Sequence, residues 1–302
     1  MLKLKQLTIG LCGVGILSFA GSVLAVPLTL TGNYLKVGIS DYGTLGSNGS
    51  NSPGILHDPT GAGSFCNPIC NDYLTPGTPH EGFSLNSDQT GFIEKDNYGI
   101  SDFGPVSSPS LLTGAAALGY ANAATWSGTY NDVAGAPLVS IANSYFYNAG
   151  DQRILIKTII TAVQALTNAA FARSEDPDPD VNTFGSYETN NQRGNLLFGT
   201  SDFVGAAGAN TGLTIALLNG SADLYTHNTA IGDSCCSNQD PYYDLAGGAG
   251  AMTSALDQSI NMAWSLGDLA AGQSAEVDYY YVFGENIQNT GGDGSSVPEP
   301  AS

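Results

Sequence analysis

Apolar positions fall into two kinds of pattern along this chain. The first is a single long run without a charge, Leu7 to Leu24, behind Lys3 and Lys5, with Gly10, Gly13, Gly15 and Gly21 inside it. Every later apolar stretch is shorter and is cut by glycine, proline, asparagine or serine. After residue 25, "LTLTGNYLKVGISDYGTLG" alternates apolar and polar positions, which predicts a strand from Tyr34 to Ile39. It then breaks into the loop "GTLGSNGSNSPG". The stretch "QRILIKTIITAVQALTNAAFARSEDPDPD" places its apolar residues on a helical face as well as on strands. The β-branched cluster Ile154, Ile156, Thr158, Ile159, Ile160 and Thr161 favours the extended backbone. A polar break at Gln164 then predicts a reversal, with "LTNAAFARS" returning as the partner strand. Near the end, Ser259 to Leu266 and Ser274 to Phe283 read as a second pair joined by "GDLAAGQ", with Val277, Tyr279 and Tyr281 on one face. Many strands joined by glycine-rich turns predict an all-β sandwich, and 39 Gly with 14 Pro are consistent with that many turns.

The leading run has the form of a secretory signal: a basic start, an apolar centre, and Val23 and Ala25 at the small-residue positions before a cut after Ala25. Residues 1–25 are thus read as signal peptide, 26–286 as the β domain and 287–302 as a linker with a terminal motif. Past residue 25 no segment is long and apolar enough to span a bilayer. Cleavage removes Lys3 and Lys5 and no acid, leaving 6 basic against 27 acidic residues and a formal charge of −21. Such a surface repels phosphate backbones, so nucleic acid is not an expected partner. Cleavage also removes Cys12, leaving Cys66, Cys70, Cys235 and Cys236 as an even set in an oxidising compartment. Three pairings satisfy that set. The strain of joining adjacent cysteines favours cross-links between the two clusters. A four-thiolate zinc site fits poorly, because the chain has no CxxC spacing.

"SEDPDPDVN" is the main candidate for chemistry. Asp176, Asp178 and Asp180 alternate around Pro177 and Pro179, which forbid a regular helix and hold the backbone extended. Three carboxylates approaching one hard cation, with Glu175, Asn182 or backbone carbonyls completing an oxygen shell, suit calcium better than zinc or copper. The competing reading is a solvated acidic turn, since the spacing and glycine of an EF-hand loop are missing. Acids in pairs also serve glycosidases. Glu81, Glu94, Glu175, Glu188, Glu276 and Glu285 are the glutamates available, and their spacing nominates no pair. His57, His80 and His227 are scattered and read as surface or loop residues. The aromatics of "NSYFYN", "DPYYD" and "DYYYVF" offer a sugar platform, although alternation assigns most of them to the core. There is no GxSxG elbow, P-loop or complete dinucleotide fingerprint.

At "ARSEDPDPD", "GSYETNN", "GLTIALL" and "SINMAWSLGDLAAGQSAEVDYYYVFGE" the chain resembles the β-sandwich modules of large exported bacterial surface proteins. Some of these have a supersandwich fold shared with sugar-binding enzyme domains, so the resemblance implies a large β-sandwich or supersandwich with glycine-rich loops. The terminal "VPEPAS" resembles the start of the sorting signal of PEP-CTERM proteins, with Val297, Pro298, Glu299 and Pro300 matching the motif. That family continues with a membrane-spanning segment and a basic cluster, and is processed by an exosortase during export. Together these readings imply a secreted, surface or biofilm-matrix location. The expected role is non-enzymatic cohesion, in which calcium joins the acidic protein to matrix polysaccharide or to other surface proteins, self-association included. The alternative is an extracellular carbohydrate-binding or carbohydrate-active protein built on the supersandwich.

Overall fold

The computed structural model describes residues 28–292, apart from 47–51, 67–68, 75–79, 99–101, 105, 222–223 and 249. The expected signal peptide and the sorting motif Val297, Pro298, Glu299 and Pro300 lie outside the described residues. In chain order the strands are β1 (Leu28–Thr31), β2 (Leu35–Ile39), β3 (Ile55–His57), β4 (His80–Asn86), β5 (Ile93–Asp96) and β6 (Ser110–Leu111). They continue with β7 (Asn122–Asn131), β8 (Pro137–Tyr147), β9 (Arg153–Ala162), β10 (Leu166–Asp176), β11 (Thr189–Arg193) and β12 (Phe203–Gly208). The last are β13 (Thr214–Asn219), β14 (Thr226–Ile231), β15 (Met252–Leu256), β16 (Ile260–Leu269) and β17 (Ser274–Gly284). Among the described residues helix is confined to short pieces, including α1 (Val181–Phe184) and α2 (Pro241–Leu245).

The strands form an all-β sandwich. A nine-stranded sheet, β15-β11-β12-β13-β17-β9-β8-β7-β6, faces a five-stranded sheet, β14-β16-β10-β4-β5, and β1-β2-β3 form a small third sheet. The β-branched run at 154–161 is a strand, as its composition predicts. Its partner is not the one expected. β9 pairs with β8 and β17, whereas β10 pairs with β16 and β4. The second expected hairpin is divided in the same way, with β16 in the five-stranded sheet and β17 in the nine-stranded one. Both connections are therefore arches between sheets. They are tied to each other where Gly272 and Ala162 donate their backbone N–H groups to the carbonyls of Ala162 and Gln273. Each strand has one apolar face, and the arch turns those faces toward each other so that both are buried.

A row of aromatic rings crosses the interior. Trp264 of β16 lies 5.2 Å from Tyr279 of β17 and 6.0 Å from Phe171 of β10, and the row continues through Phe83 to Trp126. Val277, Tyr279 and Tyr281 share the buried face of β17, as alternation predicts. The outer face of the five-stranded sheet is covered by the 232–248 segment, in which the Asp240 carboxylate caps α2 by accepting from the Tyr242 N–H. Residues 287–292, placed with the linker by the sequence, instead stay on the domain. Ile287 packs beside Phe203 and Leu218, and the Asn195 side chain donates to the carbonyls of Ile287 and Thr290. Gly284 permits this return, because a Cβ there would lie 2.3 Å from Thr290 Oγ1.

Candidate functional site

The end of β10 distributes its charged side chains by strand alternation. Arg173 and Glu175 point between the sheets. Arg173 Nε is 2.5 Å from Glu81 Oε1, with both side chains fully buried, and the guanidinium sits over the rings of Phe83, Tyr279 and Tyr281. Glu81 also accepts from the Leu45 N–H and the Tyr281 hydroxyl. Glu175 stands directly opposite Glu81 across the strands, and both its oxygens are buried without a partner. Burial first, and the Glu81 charge next, push the Glu175 carboxyl well above its ordinary range. The group is held neutral inside the protein, where it can neither ligate a surface cation nor reach a substrate.

On the outer side, Asp176 neighbours Asp257, a residue of the β15–β16 connection. Asp178 is charge-coupled to both, and its Oδ1 is buried and unpartnered. Burial and these neighbours raise Asp176 to about 7 and Asp178 to about 9. Of the three expected carboxylates, Asp178 feels the charge of Asp176 across Pro177. Asp180, however, lies apart from them. Its carboxylate accepts from the Asn210 and Thr211 N–H groups and from Thr211 Oγ1, stapling the 208–212 turn. A side chain on Gly208 would put its Cβ 2.4 Å from Asp180 Oδ1, so glycine is what allows that approach. Asn182 is elsewhere as well, donating to the Asp72 carbonyl. Asp257, about eighty residues downstream of the motif, contributes its charge to both Asp176 and Asp178, while the candidate ligand atoms that come together with Asp176 are the sulfurs of Cys235 and Cys236, which are bonded to each other. The competing reading as a solvated turn also fails, because Asp176, Asp178 and Asp180 are all at most 3% exposed.

Both disulfides are local, which corrects the expected cross-links between clusters. Cys66 pairs with Cys70 across an isolated antiparallel bridge, and Cys235 pairs with its neighbour Cys236. The two clusters are held by different parts of the fold, one beyond β3 and the other over the outer face of the five-stranded sheet. Cys236 Sγ lies 3.4 Å from Asp176 Oδ2. A disulfide sulfur carries no proton, so any hydrogen bond in this contact must come from a protonated Asp176.

A second, polar site lies where β17 ends. A cavity of about 310 Å³ is lined by Pro59, Gln152, Gly284, Glu285, Asn286, Asn289 and Thr290. Behind it is His57, which is fully buried at the end of β3 rather than at the surface. His80, at the start of β4, is buried too, because strand pairing draws both histidines into the sheets. His227 is half-buried in β14 and contacts Asp202. Burial lowers His57 to about 4, so its ring is neutral at physiological pH. Nε2 is 3.0 Å from Gln152 Oε1 and Nδ1 is 2.9 Å from the Tyr73 hydroxyl. A neutral ring has one donor and one acceptor, and the Gln152 oxygen only accepts. Hence Nε2–H donates to Gln152, Nδ1 accepts from Tyr73, and the Gln152 amide NH2 is left directed away from the ring. The sequence singled out neither Gln152 nor the two asparagines.

The glutamates form no opposed pair in this cavity, whose lining includes one carboxylate, Glu285. Glu81 and Glu175 are in the interior, Glu276 pairs with Lys157, Glu94 accepts from Asn238, and Glu188 is exposed.

No family model matches the chain, and no curated protein matches it in sequence. Solved structures do share its fold. A bacterial glucoamylase complexed with acarbose superposes with a TM-score of 0.50 at 10% identity, covering 87% of this chain and 32% of the glucoamylase. This chain thus spans under a third of that enzyme's length. A galactose mutarotase-like protein from Lactobacillus casei ATCC 334 gives a TM-score of 0.44 at 9% identity, covering 85% of this chain and 100% of that protein.

Proposed function

We propose that this chain is the β-sandwich of an exported bacterial protein that binds neutral carbohydrate without cleaving it, at the cell surface or in the surrounding matrix. The cavity at the end of β17 carries this reading. Its polar lining consists of carboxamides, one hydroxyl and one carboxylate, and the Gln152 amide is oriented by the buried His57–Tyr73 contact. Fixed amides that donate and accept side by side suit sugar hydroxyls, which do both. One carboxylate falls short of the two that acid–base hydrolysis of a glycosidic bond ordinarily uses. The likeness to the glucoamylase carries the fold alone, yet it is compatible with a sandwich that serves carbohydrate chemistry.

This reading replaces calcium-bridged cohesion through the Asp176–Asp180 segment as the preferred role. Carboxylates at most 3% exposed are not displayed to an external polymer, so a cation held there would stabilise the fold rather than cross-link the matrix. Export rests on the leading sequence and surface attachment on the PEP-type motif.

The test is titration of the mature protein with neutral oligosaccharides, with product analysis alongside. Binding without new reducing ends is expected, with Gln152→Ala and Asn286→Ala each weakening it by about tenfold, the loss of one or two hydrogen bonds. Reproducible cleavage, or binding indifferent to both substitutions, would sink the proposal.

A further inference from the structure

We infer that His227 is a proton-operated latch between the two sheets at the β14 edge: its Nε2 holds Asp202 when the ring carries two protons and turns to Asn219 when it carries one. The latch shares no residue with the cavity at the end of β17 and does not depend on carbohydrate binding there.

Three contacts of the ring carry it. His227, the second residue of β14, has Nδ1 2.9 Å from the Tyr225 carbonyl. A carbonyl only accepts, so Nδ1 bears a proton in either state. Nε2 then faces two partners of opposite kind. Asp202 Oδ1, at 2.8 Å, only accepts when ionised, and Asn219 Nδ2, at 3.1 Å, only donates. The orientation of the Asn219 amide is fixed, because its oxygen accepts from the Trp264 indole N–H at 3.0 Å and from the Ser221 N–H at 3.2 Å. With two protons on the ring, Nε2–H donates to Asp202. With one, Nε2 presents a lone pair, which repels the carboxylate and accepts from Asn219. A single proton thus selects between two partners that are both already in reach.

The partners belong to different sheets. β14 is the edge strand of the five-stranded sheet, whereas Asp202 precedes β12 and Asn219 ends β13 in the nine-stranded one. The Asn219 N–H donates to the Asp202 carbonyl, so the two stay together whichever of them the ring engages. The side chain of His227 is 10% exposed and that of Asp202 44%, so the carboxylate is the partner with room to swing into solvent. Two residues along β14, the Thr229 hydroxyl donates to the Thr200 carbonyl, and the latch therefore tightens a seam that also has a fixed tie. Among the described residues Asp202 is the carboxylate in ion-pair reach of the ring. The other charged groups on the surrounding elements are engaged elsewhere. Arg193 of β11 donates to Thr229, Asn228 and the Gly247 carbonyl, and Glu276 and Asp278 of β17 pair with Lys157. Asp268, at the far end of β16, accepts from the Asn168 N–H, and Asp240 and Asp244 of the α2 segment lie on the outer face of β14, away from the ring.

The experiment uses the mature, oxidised protein with nitrogen-15 in its three histidines. The His227 ring is assigned from the spectrum of His227→Gln, or from its shift in Asp202→Asn if that variant does not fold. Nuclear magnetic resonance of the ring nitrogens over roughly pH 5 to 9 reads the proton on each one. Both nitrogens should be protonated in the acid form and Nδ1 alone in the neutral form. A neutral form protonated on Nε2 overturns the proposal. Urea denaturation of wild type, His227→Gln, Asp202→Asn and the double variant then gives the coupling between the two side chains, a cycle in which the titration of distant groups cancels. The coupling should be roughly three- to tenfold in the folding constant where the ring is doubly protonated, the size of a charge-assisted bond partly open to water. It should fall below about twofold where the ring is neutral. Equal coupling in the two forms, or none in the acid form, also overturns it.

Discussion

Replacing Arg173 with Met tests whether the fully buried ion pair is part of what holds the two sheets together. The guanidinium is the cation facing Glu81 in the interior, and the substitution leaves the Leu45 N–H and the Tyr281 hydroxyl as the donors to that carboxylate. Removing one partner of a buried pair and stranding the other charge costs about 3–5 kcal/mol. At roughly 2–4 °C per kcal/mol for a domain of this size, the melting temperature should fall by roughly 6–20 °C. The stranded carboxyl also gives the loss a pH signature. Burial already raises Glu81 and Arg173 opposes that rise, so in the variant the folded-state value climbs further above the unfolded one. The folded protein then holds a proton that the unfolded chain releases, and stability falls as pH rises through and above the ordinary carboxylate range. Differential scanning calorimetry at pH 5 and pH 8, in constant calcium, should therefore show a larger deficit at pH 8. The double variant Glu81→Gln/Arg173→Met removes both charges while keeping an amide oxygen for a donor, and should recover at least half the loss. A fall under about 2 °C for the single variant would refute the reasoning. So would a double variant no better than the single one.

Three further outcomes follow from other parts of the molecule. His57 is lowered to about 4 by burial, so the unfolded chain takes up its proton first, and stability should drop as pH falls from about 6.5 to 4, by up to about 3 kcal/mol from this residue. His57→Gln should flatten that slope in urea titrations, and parallel curves for the two proteins would refute the assignment. Asp180→Ala strips the acceptor from the Asn210 and Thr211 donors and should cost about 1–3 kcal/mol. Chemical denaturation with and without calcium should show the same cost in both; a cost that depends on calcium would return Asp180 to the cation site. Peptide mapping without reduction should recover Cys66 bonded to Cys70 and Cys235 bonded to Cys236. A peptide joining residues 66–70 to 235–236 would overturn these pairings.

Strand character and the inward faces were legible from the sequence, because both are set within a few residues of chain. β-branched residues at 154–161 prefer extended backbone wherever they are placed, and alternation puts Val277, Tyr279 and Tyr281 on one face whatever that face meets. Which sheet each strand joins was not legible. A turn of a few residues serves equally for a hairpin or an arch, and the choice between β9 and β16 as partner of β10 depends on which apolar faces close over Trp264 and Phe171. The acidic motif divides in the same way. Asp178 follows Asp176 across Pro177 and feels its charge, while Asp180 goes to the bare backbone at Gly208 and the Asp257 charge arrives from a distant connection. The cavity amides at Gln152, Asn286 and Asn289 converge only because Gly284 lets the chain fold back and because β9 and β17 lie side by side. Local sterics and side-chain period act along the chain and can be read from it. The meeting of distant carboxylates and amides is decided by how two sheets bury their apolar faces, a free energy that exists only once the whole core has closed.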